Sequence, residues 1–319
     1  MAQPSQTFDS YDQVGMREDL SDIIYNISPI ETPFMSMIGR GKAKNRRTEW
    51  QIDTLAAAAL NAVIEGDDAI NDVVAATTQP SNITQISDKV IVVSGSADAV
   101  TTAGRKKELA YQLAKKGKEL KRDMELILTR NQASLVGDAT TARTTGTLEA
   151  WLTTNVSRDA TTGADGGYNT GTAIVDAATD SSAQRALTEA LLKSVIRLAW
   201  TQGGSPTIIM CGAVNKQNIS AFTGGVTSID KSEDKRLVTA IDIYVSDFGT
   251  HKVVPNRFQR ERTVFVLDPK LWELRYLRGF RQDKLAKTGD SNRRQMLAEF
   301  ALCSKNEAGS GAVADVTTT

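Results

Sequence analysis

The stretch "GRKKELAYQLAKKGKELKRDMELILTRNQA", Gly104 to Ala133, constrains the fold more than any other, with nine Lys or Arg against four Asp or Glu. Stepping 100° per residue places Leu109, Leu113, Leu120, Met124 and Ile127 within a sector of roughly 60°, a narrow apolar stripe along about 45 Å of helix. Lys107, Lys115, Lys118, Lys121, Arg122, Arg130 and Arg105 spread over the remaining circumference, interleaved with Glu108, Glu119, Asp123 and Glu125. A helix that reads nucleic acid gathers its positive charge on one side. A strut seated on a sheet by one thin seam is solvated everywhere else, and the spread of charge favours the strut. The whole chain balances 38 basic against 38 acidic residues, so no domain shows the basic excess expected of phosphate binding.

With 319 residues, the chain has room for about two domains at roughly 150 residues each. No apolar run approaches the roughly 20 residues needed to cross a bilayer. The first thirty residues lack the basic start and apolar centre of a signal peptide, so synthesis in a cytoplasm is expected, with no membrane partner. Cys211 in "TIIMCG" and Cys303 in "FALCSK" sit in apolar runs outside any metal-binding spacing and read as buried thiols. Four Asn-x-Ser/Thr sites carry no weight without a secretory route.

The start, "MAQPSQTFDSYDQVG", reads as a polar arm. Met16, Leu20, Ile23, Ile24 and Ile27 then follow helical spacing, and "IETPFMSMIGRG" is broken by Pro33, Gly39 and Gly41. A basic cluster follows, Arg40, Lys42, Lys44, Arg46 and Arg47. "TEWQIDTL" alternates Thr48, Trp50 and Ile52 with Glu49, Gln51 and Asp53, as a half-exposed strand does. After a soft insert rich in alanine and acid, "NITQISDKVIVVSGS" offers a second strand, so residues 48 to 100 read as a long hairpin. Such a hairpin is marginal alone and needs a neighbour to lie on, burying Trp50 and Ile52 only there.

Loops with short elements are expected from Ser134 to Thr179, and then a helix in "SAQRALTEALLKSVIRLAWTQGG" with Leu187, Leu191, Val195 and Leu198 buried. Gly203 and Gly204 end it, the strand "PTIIMCG" follows, and "AVNKQNISAFTGG" reads as a second helix, together a compact α+β unit. Strands are expected at "IDIYVSDFG", "THKVVPN", "TVFVLDP" and "LWELRYL". "RGFRQDKLAKTGDSNRRQ" reads as a polar connector. A final strand, "MLAEFALCSKN", puts Met296, Ala298, Phe300 and Leu302 on one face, and the end, "EAGSGAVADVTTT", is expected to fray or to pair at an edge.

Chemistry is sparse. His251, the one histidine, reads as a surface or turn residue, with no second histidine for a metal and no nucleophile elbow near it. No phosphate-cradling glycine loop occurs, and the acidic run with Glu65, Asp67, Asp68 and Asp72 lacks the alternation of a calcium loop. No residue is nominated for catalysis, a metal or a cofactor. The basic run reads as a charged hinge at the base of the hairpin, with the acidic run farther out. If copies overlap, the base of one can meet the acidic arm of the next, charge setting register more than affinity.

The order of parts resembles the major capsid proteins of tailed bacteriophages, the family with the fold first described for phage Hong Kong 97. "YDQVGMREDLSDIIYNISPIETPFMSMIG", "TEWQIDTL" and "ALTEALLKSVIRLAWTQGGSPTIIMCGAVNKQNISAF" carry the likeness, together with "VFVLDPKLWELRYLRGFRQDKL" and "RRQMLAEFALCSKNEAG". The resemblance implies an α+β fold of Hong Kong 97 type, with an N-terminal arm at 1–40, an extended loop at 41–100 and a peripheral domain with its spine helix at 101–150. An axial domain would span 151–255, and 256–319 would supply closing strands to both domains. It further implies self-assembly into hexamers and pentamers of an icosahedral head around double-stranded DNA, in a virion assembled in a bacterial cytoplasm. A portal protein is expected as a partner, and scaffolding would be separate, since the polar arm before Met16 is too short for the scaffolding segment some relatives carry. Decoration proteins are a further option, and the Lys, Asn and Glu of the cross-link known in the family find no match, so assembly is expected to be noncovalent. Inter-subunit contacts fall on Arg40, Lys42, Lys44, Arg46, Arg47, Trp50, Ile52, Glu65, Asp67 and Asp68. A bacterial nanocompartment shell of the same fold is the structural alternative. A DNA-binding architectural protein using residues 40–47 and 105–122 is the alternative from another class.

Overall fold

The computed structural model describes residues 31–66, 68, 71–100, 107–222 and 243–318. The helical spacing at 16–27, Arg105 and Asp67 lie outside the described residues.

Two sheets organise the chain. The first runs in the order β1 (Gly39–Lys42), β12 (Trp272–Lys284), β13 (Ser291–Ser304), β4 (Gln85–Ser94). β1 is parallel to β12, and the other pairings are antiparallel. The second runs β5 (Val156–Ser157), β14 (Gly311–Val313), β11 (Val264–Leu267), β8 (Ile208–Cys211), β10 (Gly249–Pro255), β9 (Ile243–Ser246). Two small ribbons complete the strands: β2 (Arg47–Glu49) with β3 (Ser81–Ile83), and β6 (Gly167–Asn169) with β7 (Ile174–Asp176). The helices are α1 (Pro33–Met37), α2 (Gly95–Ala99), α3 (Glu108–Thr129), α4 (Leu148–Trp151), α5 (Glu189–Thr201) and α6 (Ala213–Ser220).

The charged stretch is the strut its stripe demands. α3 lies across β4 and β13, with Leu120, Met124 and Leu128 fully buried, while Leu109 and Leu113 toward its start are only half-buried. Its acids are not evenly solvated, which corrects the reading of an interleaved surface. Glu119 pairs with Lys116 at 2.6 Å and Asp123 with Lys89 of β4 at 2.6 Å, both on the β4 flank. Glu125 is fully buried beneath α1. Lys115, Lys118, Lys121 and Arg122 remain on the outward face.

Pro33 starts α1 instead of breaking the chain, because a residue at the first helical position has no intrahelical partner for its N–H to lose. In α5 the buried face is Leu192, Val195, Ile196 and Ala199, one residue on from the expected stripe. Leu198 is exposed, and Leu187, though buried, precedes the helix. Thr188 caps that helix by accepting the Leu191 N–H at 3.4 Å, and Gly203 at φ +86° ends it.

Three further expectations give way. The "polar connector" is mostly strand: β12 runs on to Lys284 and β13 starts at Ser291, a ribbon held by paired backbone that alternation of polar residues alone does not reveal. His251 is buried within β10, its Nε2 2.7 Å from Ser246 Oγ, and burial holds its pKa below the ordinary imidazole value. The C-terminal stretch neither frays nor sits on an edge, since β14 is fully buried between β5 and β11. Asp315, just beyond, adopts a left-handed backbone at φ 57°. Its carboxylate accepts the Ser181 N–H at 3.0 Å and a guanidinium N–H of Arg262 at 2.8 Å, which fastens the chain end into the sheet.

Candidate assembly surface

The hairpin expected over 48–100 exists only at its root. β2 and β3 pair over three residues, one further bridge joins Ile52 to Thr78, and the strand after β3 leaves to pair with β13. Alternation still appears in burial, with Thr48 inside, Glu49 outside, Trp50 half-buried and Gln51 outside.

That root is tied down by its own chain. Asn82 of β3 is fully buried: its Nδ2 donates to the carbonyls of Gly146 at 2.9 Å and Leu302 at 2.7 Å, and its Oδ1 accepts the Gly146 N–H at 2.8 Å. A buried amide satisfied on both sides is costly to disturb, because each orphaned group forfeits about 1–3 kcal/mol. Beside it Glu299 of β13 accepts from Thr84 Oγ1 at 2.9 Å, from Arg278 Nε at 2.6 Å and from Arg143. Trp50 packs on Trp151 with ring centroids 5.5 Å apart, Trp151 stacks on Tyr168 at 5.9 Å, and the Arg275 guanidinium lies 5.6 Å from the Trp50 ring. Trp50, half-buried, therefore finds part of its cover within the subunit and leaves part of its surface open.

Beyond Ile52 and Thr78 the character reverses. Leu55 is 97 % exposed, Val73 96 % and Val74 93 %, and Leu60, Val63 and Ile64 are also open to solvent. Scattered exposed apolar residues are ordinary, but six of them beyond the tied-down root of one loop form an unfinished surface. Sequence reading missed them because they follow no period of 2 or 3.6. The signal available was large aliphatic residues inside a stretch with no strand or helix pattern. Glu65 lies in the turn at this end, where Gly66 takes φ +83°, and Asp68 lies next to it.

The basic cluster sits at the root. Lys42, Lys44 and Arg47 line a recess of about 360 Å³ with Arg275, Glu49 and Glu273. Glu273 is engaged by Arg275 at 3.3 Å and Lys305 at 3.6 Å, and Glu49 accepts from Gln79 at 2.9 Å, so both acids are already satisfied. Arg46 is exposed beside the recess, its carbonyl taken by the Thr84 N–H at 2.7 Å. Arg40 lies apart from this group, on the wall of a smaller recess of about 290 Å³ with Lys121, Tyr276 and Phe280. The structure thus brings Lys42, Lys44, Arg46 and Arg47 together around the loop's root and leaves Glu65 and Asp68 at its far end.

A further node was invisible in the sequence. Glu125 of α3 accepts the backbone N–H groups of Phe34 at 2.7 Å and Met35 at 3.0 Å, and Asn256 Nδ2 at 2.7 Å. Thr32, the N-cap residue of α1, makes no side-chain cap, so α3 supplies the missing acceptor from 91 residues away. Burial pushes the Glu125 carboxyl pKa up, and the hydrogen bonds from Met35, Phe34 and Asn256 oppose that shift.

Among the described residues no group of three or more His, Cys, Asp or Glu could hold a metal, and no helix is long and apolar enough to cross a membrane. Cys211 and Cys303 are buried, with their thiol pKa values pushed up to about 12 by burial.

A family model described as SU10 major capsid protein matches residues 3–317. The major capsid protein of Escherichia phage Phieco32 is 30% identical over 346 aligned residues, covering 98% of this chain and 97% of that protein. Among solved structures, the cyanophage A-1(L) capsid asymmetric unit matches with a TM-score of 0.68 at 14% identity, over 95% of this chain and 98% of that one. The capsid of a native GTA particle matches at 0.64 and 9% identity, over 97% and 98%. A structure from Mycobacterium phage Adephagia matches at 0.60 and 12% identity, over 95% and 96%. Identities this low speak for the fold alone.

Proposed function

The chain belongs to the family of SU10 major capsid proteins and is the major capsid protein of a tailed phage, and from that premise we propose that its copies join by laying the loop of one on the root of the next. The fold is α+β of the Hong Kong 97 type, and the protein assembles with itself into the icosahedral capsid. The single observation that carries the proposal is the contrast between the loop and its root: the root is fixed by Asn82 and Trp50, while Leu55, Leu60, Val63, Ile64, Val73 and Val74 beyond it are apolar yet uncovered.

In this reading residues 1–40 are an arm, 41–100 the extended loop, 101–150 the peripheral domain built on α3, 151–255 the axial domain, and 256–319 strands shared by both. The separate sheets support the division, one carrying α3 and the other carrying α5. Hexamers and pentamers form when this head-to-tail contact closes by rotation, since a heterologous contact that closes gives a ring. Glu65, Asp67 and Asp68 of one copy approach Lys42, Lys44, Arg46 and Arg47 of the next, setting register, while the aliphatic residues supply affinity. Arg40, farther from the recess, and Ile52, at the last bridge, flank the contact. Assembly takes place in the host bacterial cytoplasm, with separate portal and scaffolding proteins and decoration proteins as an option, around double-stranded DNA held without sequence preference. The subunit does its work by closing a wall and catalyses nothing.

Reversing Arg46→Glu and Arg47→Glu tests the contact: shells seen by electron microscopy should become few or misformed, and Glu65→Lys with Asp68→Lys in the same chain should restore them. Normal shells from the reversed protein alone would remove the charge pairing from the account.

A further inference from the structure

The outward face of α3 is unlike the rest of its surface. Lys115, Lys118, Lys121 and Arg122 fall within about 120° of the helix circumference, and three of the four are exposed. Among the acids of the helix, Asp123 is paired with Lys89, Glu125 lies under α1, and Glu119 is hydrogen-bonded to Lys116, with the charge of Lys115 a smaller influence on it. Two of the cations are held by aromatic rings, Lys121 with its ammonium 5.9 Å from the Phe280 ring and Arg122 with its guanidinium 5.4 Å from that of Phe258. Such contacts restrain a long side chain while leaving its charge available. Pairing therefore makes a one-sided cationic ridge out of a helix whose sequence looks balanced.

We infer that this ridge is a binding surface for the phosphate backbone of double-stranded DNA inside the shell. The inference rests on the reading that the shell encloses DNA. A protein partner is held chiefly by an apolar or aromatic anchor at the centre of its contact; Lys121 borders a recess with Tyr276 and Phe280 at one end of the ridge, but Lys115, Lys118 and Arg122 lie outside that recess. Cations gathered on one side of about two helical turns suit a stiff polyanion, and contact by charge alone carries no sequence preference. The chain's balanced total is no obstacle, since the ridge is local.

The test uses subunits dissociated from purified shells and a fluorescent duplex, with binding followed by anisotropy across salt. Four phosphate contacts give a log–log salt slope of about −3.6, so affinity should drop about 150-fold between 50 and 200 mM salt. Lys115→Gln, Lys118→Gln and Lys121→Gln together should flatten the slope to about −0.9, and Lys118→Gln alone should remove about 0.9 of it. A matched control replaces Arg197, Lys252 and Lys270, all exposed and off the ridge, with Gln and should leave the slope unchanged. An unchanged slope in the ridge variants, an equal loss in the control, or no duplex binding by the unmodified subunit overturns the inference. Shell formation by each protein is scored separately by electron microscopy. Shells without ridge-dependent binding sink the ridge alone, whereas absence of shells from the unmodified protein sinks the capsid contact proposed above.

Discussion

Replacing Glu125 by alanine should uncouple the start of the described chain from α3. Three N–H groups now end on its two oxygens, those of Phe34, Met35 and the Asn256 side chain, all in a fully buried site. Alanine leaves the Phe34 and Met35 N–H groups without an acceptor and Asn256 Nδ2 with only its weak contact to the Met210 sulfur at 3.5 Å, and at about 1–3 kcal/mol for each orphaned donor, with partial relaxation, the loss should be about 3–5 kcal/mol. Against a typical total of about 5–15 kcal/mol that is a large fraction, visible as a lowered urea midpoint of unassembled subunits. Glutamine should cost less, because its carbonyl oxygen still accepts while its amide turns against one donor. Acidity adds a second signature. The folded-state pKa of Glu125 is raised, so its contribution is fully present below the unfolded value and is lost as pH rises through the folded one. The stability of the unmodified subunit relative to Glu125→Gln should accordingly fall as pH climbs above about 4.3, the ordinary glutamate value. If Glu125→Ala unfolds within about 1 kcal/mol of the parent, in the range of an ordinary surface substitution, the borrowed cap is not holding α1 and the reasoning fails.

Two other outcomes follow from the same structure. Leu60→Ser removes one fully exposed aliphatic side chain from the loop, so subunit stability should not change, but shell formation should require about 30-fold more protein if about 2 kcal/mol of burial is lost per contact. Static light scattering against concentration measures it. Cys211 and Cys303, with thiol pKa values pushed up to about 12, should resist a thiol reagent at pH 8 in native subunits and react fully in denaturant, as mass spectrometry would record.

The sequence was most informative where one periodic face meets one partner. The stripe through Leu120 and Met124 announced a strut, and "LWELRYL" and "MLAEFALCSKN" announced two strands, whose Trp272, Leu274, Phe300 and Leu302 the structure buries together. It was least informative where a residue's environment comes from distant chain. Glu125 stands about 100° away from its helix's apolar stripe and is buried because α1, 91 residues earlier, covers it. Trp50 looked uncovered because Trp151 and Tyr168 are a hundred residues or more away. Arg278 to Lys284 read as a connector because polar residues paired across a ribbon carry no apolar alternation. Within the candidate contact, the basic half was legible as a run of adjacent charges. The aliphatic half was not, because Leu55, Leu60, Val63, Ile64, Val73 and Val74 share a role without sharing a period.

Amide hydrogen exchange over residues 53–64 and 71–77, compared between dissociated subunits and intact shells, addresses the unfinished loop most directly. These amides should exchange freely in subunits while those of Asn82 and Ile83 at the root stay protected, and assembly should slow the loop by at least about 100-fold. A loop already protected in the lone subunit, or one that exchanges as fast in the shell as out of it, would contradict the account.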